Sequence, residues 1–241
     1  MRRHLFGPLA ALVLTAGSLP ATSLAGASAA TASVRPAGQV SSTNWAGYAA
    51  TGANGAFTSV ASSWTEPKGH CSSGDQYAAF VVGLDGYSSD SIEEIGADVD
   101  CTGKTPDYYA WYDMYPANPV TFSQTVKPGD VLSASVTYAG SNKFTLKISD
   151  ATQGWSQTVH ATLAGAARSS AEVLVEVPSA GVGVLPLTDF GSVSFTGAMV
   201  NNAGLCDSDP VEITNPSLTV SPITGCTNFT VTASKTARAR P

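Results

Sequence analysis

The chain has 241 residues, with 18 acidic against 12 basic side chains, a net charge of −6 and 43% hydrophobic residues. This length fits one domain or at most two small ones, and the apolar fraction suffices for a sizeable core. Because the negative balance repels phosphate backbones, composition excludes nucleic acid from the expected partners.

The first 30 residues have the pattern of an export signal. They begin with two arginines, continue through an apolar run that reaches Leu19, and end in small residues around Ala27–Ala29. This order predicts a cleaved signal peptide over residues 1–30 and a secreted, extracellular protein. A membrane helix is the alternative, but a proline and a glycine interrupt the run, which is shorter than the roughly 20 apolar residues of a span. We therefore expect no membrane association after cleavage, and a flexible leader over residues 31–41.

Half of the acidic side chains, nine of 18, lie between residues 71 and 113. Within that stretch, strand periodicity places Glu94 and Asp98 on one face, with Gly96 between them leaving space for the backbone of a ligand. The same periodicity in the next run gives a face that is aromatic with one carboxylate: Tyr109, Trp111, Asp113 and Tyr115. Solvated strand faces and a core position for Trp111 are the plainer alternatives.

Alternation of apolar and small polar residues continues beyond that stretch. In the run 131–138, Leu132, Ala134, Val136 and Tyr138 share a face, and turn-forming residues interrupt such runs about every 8 to 12 residues. The pattern predicts an all-β, antiparallel β-sandwich over residues 42–234. We also expect a monomer and a frayed tail over residues 235–241.

A third acidic face is predicted late in the chain. In the run 171–177, the odd-numbered residues are apolar, and Glu172, Leu174 and Glu176 lie on the opposite face. Two carboxyl groups therefore point away from the core. Three faces of acidic or aromatic character in a charge-poor protein favour a functional surface over three unrelated solvated faces.

Four cysteines in an exported chain predict two disulfides. Of the three possible pairings, the sequential one closes the shortest loops, which favours Cys71 with Cys101 and Cys206 with Cys226. A four-cysteine zinc site is the alternative, but it lacks any Cys-x-x-Cys pair. We expect no metal.

Motifs of the common enzyme classes are missing from the sequence. It has no Gly-x-Ser-x-Gly elbow, His-Glu-x-x-His helix, P-loop or EF-hand loop. Only His70 and His160 follow the predicted signal peptide, which excludes a three-histidine zinc site. We expect no cofactor, and carboxyl and aromatic groups remain as the candidate chemistry.

The acidic and aromatic residues described above occur in six motifs. Through these motifs the sequence resembles the glutamic peptidases, or eqolisins, and in particular secreted members of bacterial type. The resemblance extends from Asn44 to about Ala198. Its motifs are Asn44-Trp45-Ala46-Gly47, Val82-Gly83-Leu84-Asp85-Gly86, Glu94-Ile95-Gly96-Ala97-Asp98, Ala110-Trp111-Tyr112-Asp113-Met114-Tyr115-Pro116, Ala171-Glu172 through Glu176, and Leu185-Pro186-Leu187-Thr188-Asp189-Phe190.

The resemblance implies a sandwich of two curved, roughly seven-stranded antiparallel sheets of concanavalin type, with the active site on a concave face. It implies catalytic roles for Glu176 and Glu94, the latter standing where the family has Gln. Val81 replaces a substrate-side Trp of the fungal members, and Asp113 and Met114 replace a Glu and a Trp. Asp98 and Asp85 would support the pair or contact substrate, and Trp111 and Tyr109 would line an aromatic wall.

The implied function is a secreted acid endopeptidase that acts on protein or peptide substrates. One alternative is a β-sandwich with an inactive site that binds a peptide or a glycan through its aromatic face. A second alternative is another two-carboxylate hydrolase, such as a glycosidase.

Overall fold

The computed structural model describes residues 33–34, 36, 38–180 and 183–234. The predicted signal peptide and tail lie outside these ranges. The strands are β1 (Ser33–Val34), β2 (Gly38–Ser41), β3 (Trp45–Thr51), β4 (Ser59–Thr65), β5 (Ala79–Asp85), β6 (Ile92–Thr102), β7 (Thr105–Tyr115), β8 (Val120–Thr121), β9 (Val131–Gly140), β10 (Lys143–Asp150), β11 (Trp155–Thr162), β12 (Ser170–Glu176), β13 (Ser179–Ala180), β14 (Gly183–Val184), β15 (Ser192–Val200), β16 (Ala203–Gly204), β17 (Val211–Thr214), β18 (Leu218–Val220), β19 (Ile223–Thr224) and β20 (Phe229–Ala233).

Two eight-stranded sheets account for most of these strands. The first sheet has the order β2-β17-β3-β12-β5-β6-β7-β8, and the second has the order β11-β10-β9-β4-β15-β20-β18 with β16 paired to β15. The predicted all-β sandwich is therefore confirmed, with short edge strands bringing each sheet to eight strands. The described residues add one 3₁₀ helix, Leu205–Ser208. No helix in the described part of the chain could cross a membrane.

The inner faces of the two sheets form the main core. Phe80, Val82 and Leu84 of β5 face it from the first sheet, and Leu132 and Val136 of β9 face it from the second. Complete burial of such a side chain stabilises the fold by roughly 1.5–3 kcal/mol. The alternation read from the sequence thus corresponds to real inward-facing positions.

The outer face of the first sheet carries a second apolar cluster. Its buried members are Ala49, Ala79, Val81, Trp111, Leu174 and Ile213. An outer sheet face with buried apolar side chains is concave or covered by neighbouring side chains, unlike an ordinary solvated face. This face also carries the carboxyl groups of the predicted site.

Both predicted disulfides are confirmed. Cys71 bonds to Cys101, with 5.5 Å between their Cα atoms, and Cys206 bonds to Cys226, with 4.9 Å between theirs. The first disulfide ties the loop before β5 to β6. All four cysteines are used in this way, so the zinc alternative is wrong.

The predicted leader is more regular than expected near its end. Gly38–Ser41 forms β2, which pairs in parallel with β17 at the edge of the first sheet. Gln39 Nε2 also donates a 2.9 Å hydrogen bond to Glu212 Oε1. Because β2 is short and polar, it lacks the apolar alternation by which a strand is recognised in a sequence.

Candidate active site

Three neighbouring strands of the first sheet form an acidic groove on its outer face. The central strand, β5, presents only small side chains there: Ala79, Val81 and Gly83. The flanking strands, β12 and β6, present carboxyl groups. Since neighbouring strands lie about 4.8 Å apart, the walls of this groove stand roughly 10 Å apart at the backbone. Their side chains can therefore approach each other above the small floor residues.

The strand register places the carboxyl groups opposite one another in two rows. Each row runs from β12 across β5 to β6, and the rows are Glu172–Gly83–Glu94 and Glu176–Ala79–Asp98. Glu94 and Glu176, the predicted catalytic pair, thus lie on opposite walls, in rows separated by the row Leu174–Val81–Gly96. Sequence spacing within a strand could not place them together, because β12 and β6 are joined only through β5.

Glu94 lies on the β6 wall and is 7% exposed. Burial raises its pKa well above the ordinary value, and the negative charges of Glu176 and Asp113 raise it further. A Cβ atom at Gly83 would lie 3.1 Å from Glu94 Cβ, so glycine in the floor provides the space that this side chain uses. Glu94 therefore favours its neutral, protonated form in the acidic groove.

Glu176 is the last residue of β12 and is partly exposed. Burial of its carboxyl group raises its pKa. Its Oε1 atom accepts a 3.4 Å hydrogen bond from Asn44 Nδ2, which favours the ionised form and partly opposes that effect. Of the two carboxyl groups, Glu176 thus has the hydrogen bond that stabilises its ionised form. Glu94 has the surroundings that stabilise its protonated form.

Asp98 is held by the aromatic wall of β7. Trp111 Nε1 donates a hydrogen bond to Asp98 Oδ1, and the Tyr109 hydroxyl lies 3.1 Å from Asp98 Oδ2. The same hydroxyl lies 2.6 Å from Asp100 Oδ2. One phenol has one proton, so both contacts are hydrogen bonds only if one of the two carboxyl groups is protonated. Burial and the charge of Asp100 raise the pKa of Asp98 accordingly.

Asp85 closes the far end of the groove and is 1% exposed. Its carboxylate accepts hydrogen bonds from the backbone N–H groups of Arg168 and Ser169, at 2.7 and 2.8 Å, and from the Ser91 hydroxyl at 3.0 Å. These contacts hold the segment that leads into β12. Of the two roles expected for Asp85, the geometry fits support of β12, which carries Glu176, rather than contact with substrate.

The predicted face of β7 lies beside Glu94 in the folded chain. Asp113 pairs directly with Glu94 across the strands and is 8% exposed, and burial raises its pKa. Trp111 is 7% exposed and packs on Val81 and Leu174 in the outer cluster. It is buried, but on the groove side rather than in the main core. Tyr115, at the end of the strand, is 48% exposed.

Gly96 has a packing role that the sequence did not indicate. A Cβ atom at this position would clash with the backbone carbonyl oxygen of Phe80 on β5. Glycine is thus required by the close approach of two strands, and space for a ligand at this position stays a prediction. The small residues of the groove floor, Ala79, Val81 and Gly83, lie one strand away and are themselves buried.

Comparison with known proteins assigns the family. The sequence model of the Peptidase A4 family matches residues 43–236. The chain belongs to the Peptidase A4 family. The resemblance to eqolisins read from the sequence motifs is confirmed.

Individual family members are similar over different shares of the chain. Aspergillopepsin-2 of Aspergillus niger is 30% identical over 138 residues, which cover 54% of this chain and 48% of that protein. The chain thus matches about half the length of this curated relative. Scytalido-glutamic peptidase, solved with a transition state analog inhibitor, superposes with a TM-score of 0.68 at 23% identity, over 80% of this chain and 98% of that one. Aspergilloglutamic peptidase from Aspergillus niger superposes with a TM-score of 0.58 at 26% identity. That alignment covers 66% of this chain and 99% of the other.

Three acidic or polar residues near Glu94 and Glu176 were not predicted as site residues of this Peptidase A4 member. Asn44 reaches Glu176 because β3 and β12 pair. Glu172, 2% exposed, shares a row with Glu94. Glu93 faces the main core instead of the groove, although it adjoins Glu94 in sequence. Strand periodicity placed Glu172 on the groove face and could have placed Glu93 on the opposite face from Glu94, but the burial of both glutamates depends on strands that are distant in sequence.

Proposed function

We propose that this chain is a secreted acid endopeptidase that hydrolyses peptide bonds of proteins at low pH, through a carboxyl-activated water and without a covalent intermediate. The observation that carries the proposal is the position of Glu94 and Glu176 on opposite walls of a groove floored by small residues. Membership of the Peptidase A4 family supports peptide bonds as the substrate class.

Glu176 acts as the general base. As a carboxylate, it removes a proton from a water molecule while the water oxygen attacks the scissile carbonyl carbon. The hydrogen bond from Asn44 supports this ionised form. When the C–N bond breaks, Glu176 returns that proton to the leaving amine. Water is thereby divided between the new carboxyl and amino termini.

Glu94 stabilises the oxyanion of the tetrahedral intermediate. It can do so only when protonated, because an ionised carboxylate has no hydrogen to donate and would repel the developing negative charge. Burial and the charge of Glu176 raise its pKa, which keeps this proton in place. The pair therefore works with one shared proton, as two close carboxyl groups do when both cannot ionise at low cost.

Secretion is part of the proposal. The N-terminal pattern of residues 1–30 and two disulfides support an oxidising, extracellular location. Many carboxyl groups with raised pKa values also suit a protein that works in acid.

Digestion of an unfolded protein tests the activity. We expect the wild-type enzyme to cut denatured casein or haemoglobin at about pH 3.5, and Glu176→Gln to lower the rate by roughly 10²–10⁴-fold because the general base is lost. Gel electrophoresis and mass spectrometry of the fragments provide the measurement. The matched control is Asp90→Asn. This substitution also removes one negative charge, but at an exposed residue outside the groove, and it should retain wild-type activity. A wild-type chain that binds peptides but leaves these substrates intact would instead support a non-catalytic binding module.

A further inference from the structure

A cavity of about 550 Å³ lies at the end of the first sheet, beside the acidic groove. We name it the end cavity. Its apolar lining is Val177, Val184, Leu185, Pro186 and Leu187. Polar side chains at its rim include Ser73 and Asp75, and the lining residues include no Lys, Arg or His. The volume lies within the range of about 300–1,000 Å³ that is typical of sites for small organic groups.

The end cavity lies beyond the Ala79 end of the groove floor. The floor residues of β5 lead from Gly83 to Ala79, and the chain just before Ala79, at Asp75 and Gln76, lines the cavity. Val177, which directly follows Glu176 at the end of β12, also lines the cavity. An extended peptide advances about 3.3 Å per residue. A substrate lying along β5 with its scissile bond at Glu176 would thus place a side chain in the cavity within about three residues.

The walls of the end cavity are fixed by hydrogen bonds. Gln76 Nε2 donates to the backbone oxygen of Leu187 at 3.2 Å, and the Tyr77 backbone N–H donates to the oxygen of Pro186 at 2.8 Å. The Cys71–Cys101 disulfide anchors the loop that carries Ser73. The cavity therefore exists before a ligand arrives, which reduces the entropy cost of binding.

We infer that the end cavity is a specificity site that binds a large apolar side chain of the substrate, such as Leu, Phe or Met, near the scissile bond. The apolar wall supplies the burial energy, and the acidic rim disfavours Asp and Glu. This inference rests on the proposed function, because it assigns the cavity to the same peptide groove.

A peptide library cleaved by the wild-type enzyme tests the inference. We expect one position within about three residues of the cut to select large apolar side chains over Ala by at least about tenfold in kcat/KM. Ser73→Trp should fill the cavity and remove most of that selection, and Val184→Glu should lower kcat/KM for the large apolar residue by a similar factor. Both variants should lower kcat/KM much less for the Ala peptide than for the large apolar peptide, so that the ratio of the two values falls towards one. Thr158→Trp, on exposed β11 of the second sheet, is the matched control and should leave the selection unchanged.

The outcomes separate the specificity site from the activity. Cleavage without selection for large apolar residues, or selection that survives both variants, would overturn the specificity site and leave the peptidase intact. Preference for Lys or Arg would also overturn it, with Asp75 as the recognising group. If the wild-type chain cuts no peptide, the proposed function fails. Calorimetric binding of the Leu and Ala peptides to the wild type and to Ser73→Trp then still decides whether the cavity holds an apolar side chain.

Discussion

A carboxyl group at position 94 can serve catalysis in only one of its two protonation states. The neutral acid donates one hydrogen bond to an oxyanion, whereas the carboxylate repels it. The surroundings of Glu94 favour the neutral form, because burial comes first among the effects that raise its pKa and the charge of Glu176 comes second. Under the proposed function, Glu94 in place of the Gln that the family resemblance implies thus allows turnover in acid and is costly at higher pH.

Glu94→Gln should therefore keep or raise activity in acid and extend it towards neutral pH. An amide donates hydrogen bonds at every pH, so the variant should lose the decline of about tenfold per pH unit expected above the upper apparent pKa of the wild-type pair. Initial rates on a short peptide between about pH 3 and pH 7 provide the measurement.

The matched control for that experiment is Glu172→Gln. It makes the same chemical change in the same row of the sheet, on the opposite wall. Because the charge of Glu172 raises the pKa of Glu94, this variant should leave the alkaline limit unchanged or shift it to lower pH. If Glu94→Gln abolished activity, or if both variants shifted the limit equally, Glu94 would not be the oxyanion donor.

Individual site residues differ in how far the sequence could predict them. The faces of Glu94, Asp98 and Asp113 follow from the strand period of two, which is a local property. The contact between Asn44 and Glu176 joins residues 132 positions apart and depends on the pairing of β3 with β12. No local pattern specifies such a pairing, and the role of Glu176 was expected only from family resemblance.

At the scale of strands, the close approach of β5 and β6 determines whether position 96 can accept a side chain. Gly96→Ala would place a methyl group against the Phe80 carbonyl oxygen, and backbone cannot move aside as a flexible side chain can. We expect a loss of about 2–4 kcal/mol in the free energy of unfolding. Guanidinium unfolding in acid measures it.

Gly38→Ala on edge strand β2 is the control for that substitution. No atom lies within 4 Å of a Cβ atom built there, so the change should stay within about 0.5 kcal/mol. Equal effects at the two positions would show that β5 and β6 can separate to accept a side chain.

The strands themselves were largely predictable, but their order was not. Runs such as 131–138 show the alternation of a half-buried strand, and β9 covers that range. Strand β2 was missed because Gly38–Ser41 has no apolar alternation. The sheet order β3-β12-β5-β6, which creates the groove, depends on contacts between distant segments and is invisible in any single run.

For the molecule as a whole, buried carboxyl groups make stability depend on pH. Glu93 is fully buried in the main core, and neither of its oxygens has a hydrogen-bond partner among the described residues. Burial raises its pKa from 4.5 to about 8. Burial also raises the pKa values of Glu66 and Glu172. The folded chain therefore binds more protons than the unfolded chain, and its stability falls as the pH rises.

We expect a higher melting temperature at pH 4 than at pH 7. For Glu93, the stabilisation is fully present below about pH 4.5 and is lost as the pH rises through 8, on the order of 5 kcal/mol in total. Glu93→Gln should recover part of the loss at pH 7, because the amide mimics the protonated acid without ionising. Scanning calorimetry at both pH values measures the effect.

The exposed Asp90→Asn removes one negative charge outside the core and is the control for Glu93→Gln. It should leave the difference between the two melting temperatures nearly unchanged. Equal melting temperatures of the wild type at pH 4 and pH 7 would contradict the account of the buried carboxyl groups. The acidic composition alone could predict the direction of this dependence, but only the fold identifies Glu93 as a core residue.

The pH dependence of kcat/KM for the wild-type enzyme on a short peptide, between about pH 2 and pH 8, tests the central claim most directly. Initial rates are taken before unfolding, and aliquots returned to acid confirm that the enzyme survives each exposure. A pair of carboxyl groups that shares one proton predicts a bell-shaped profile with its maximum in acid and a decline above the upper apparent pKa of the pair. A profile that is flat, or that rises from acid to neutral pH, would contradict the claim that a protonated Glu94 and an ionised Glu176 perform the reaction.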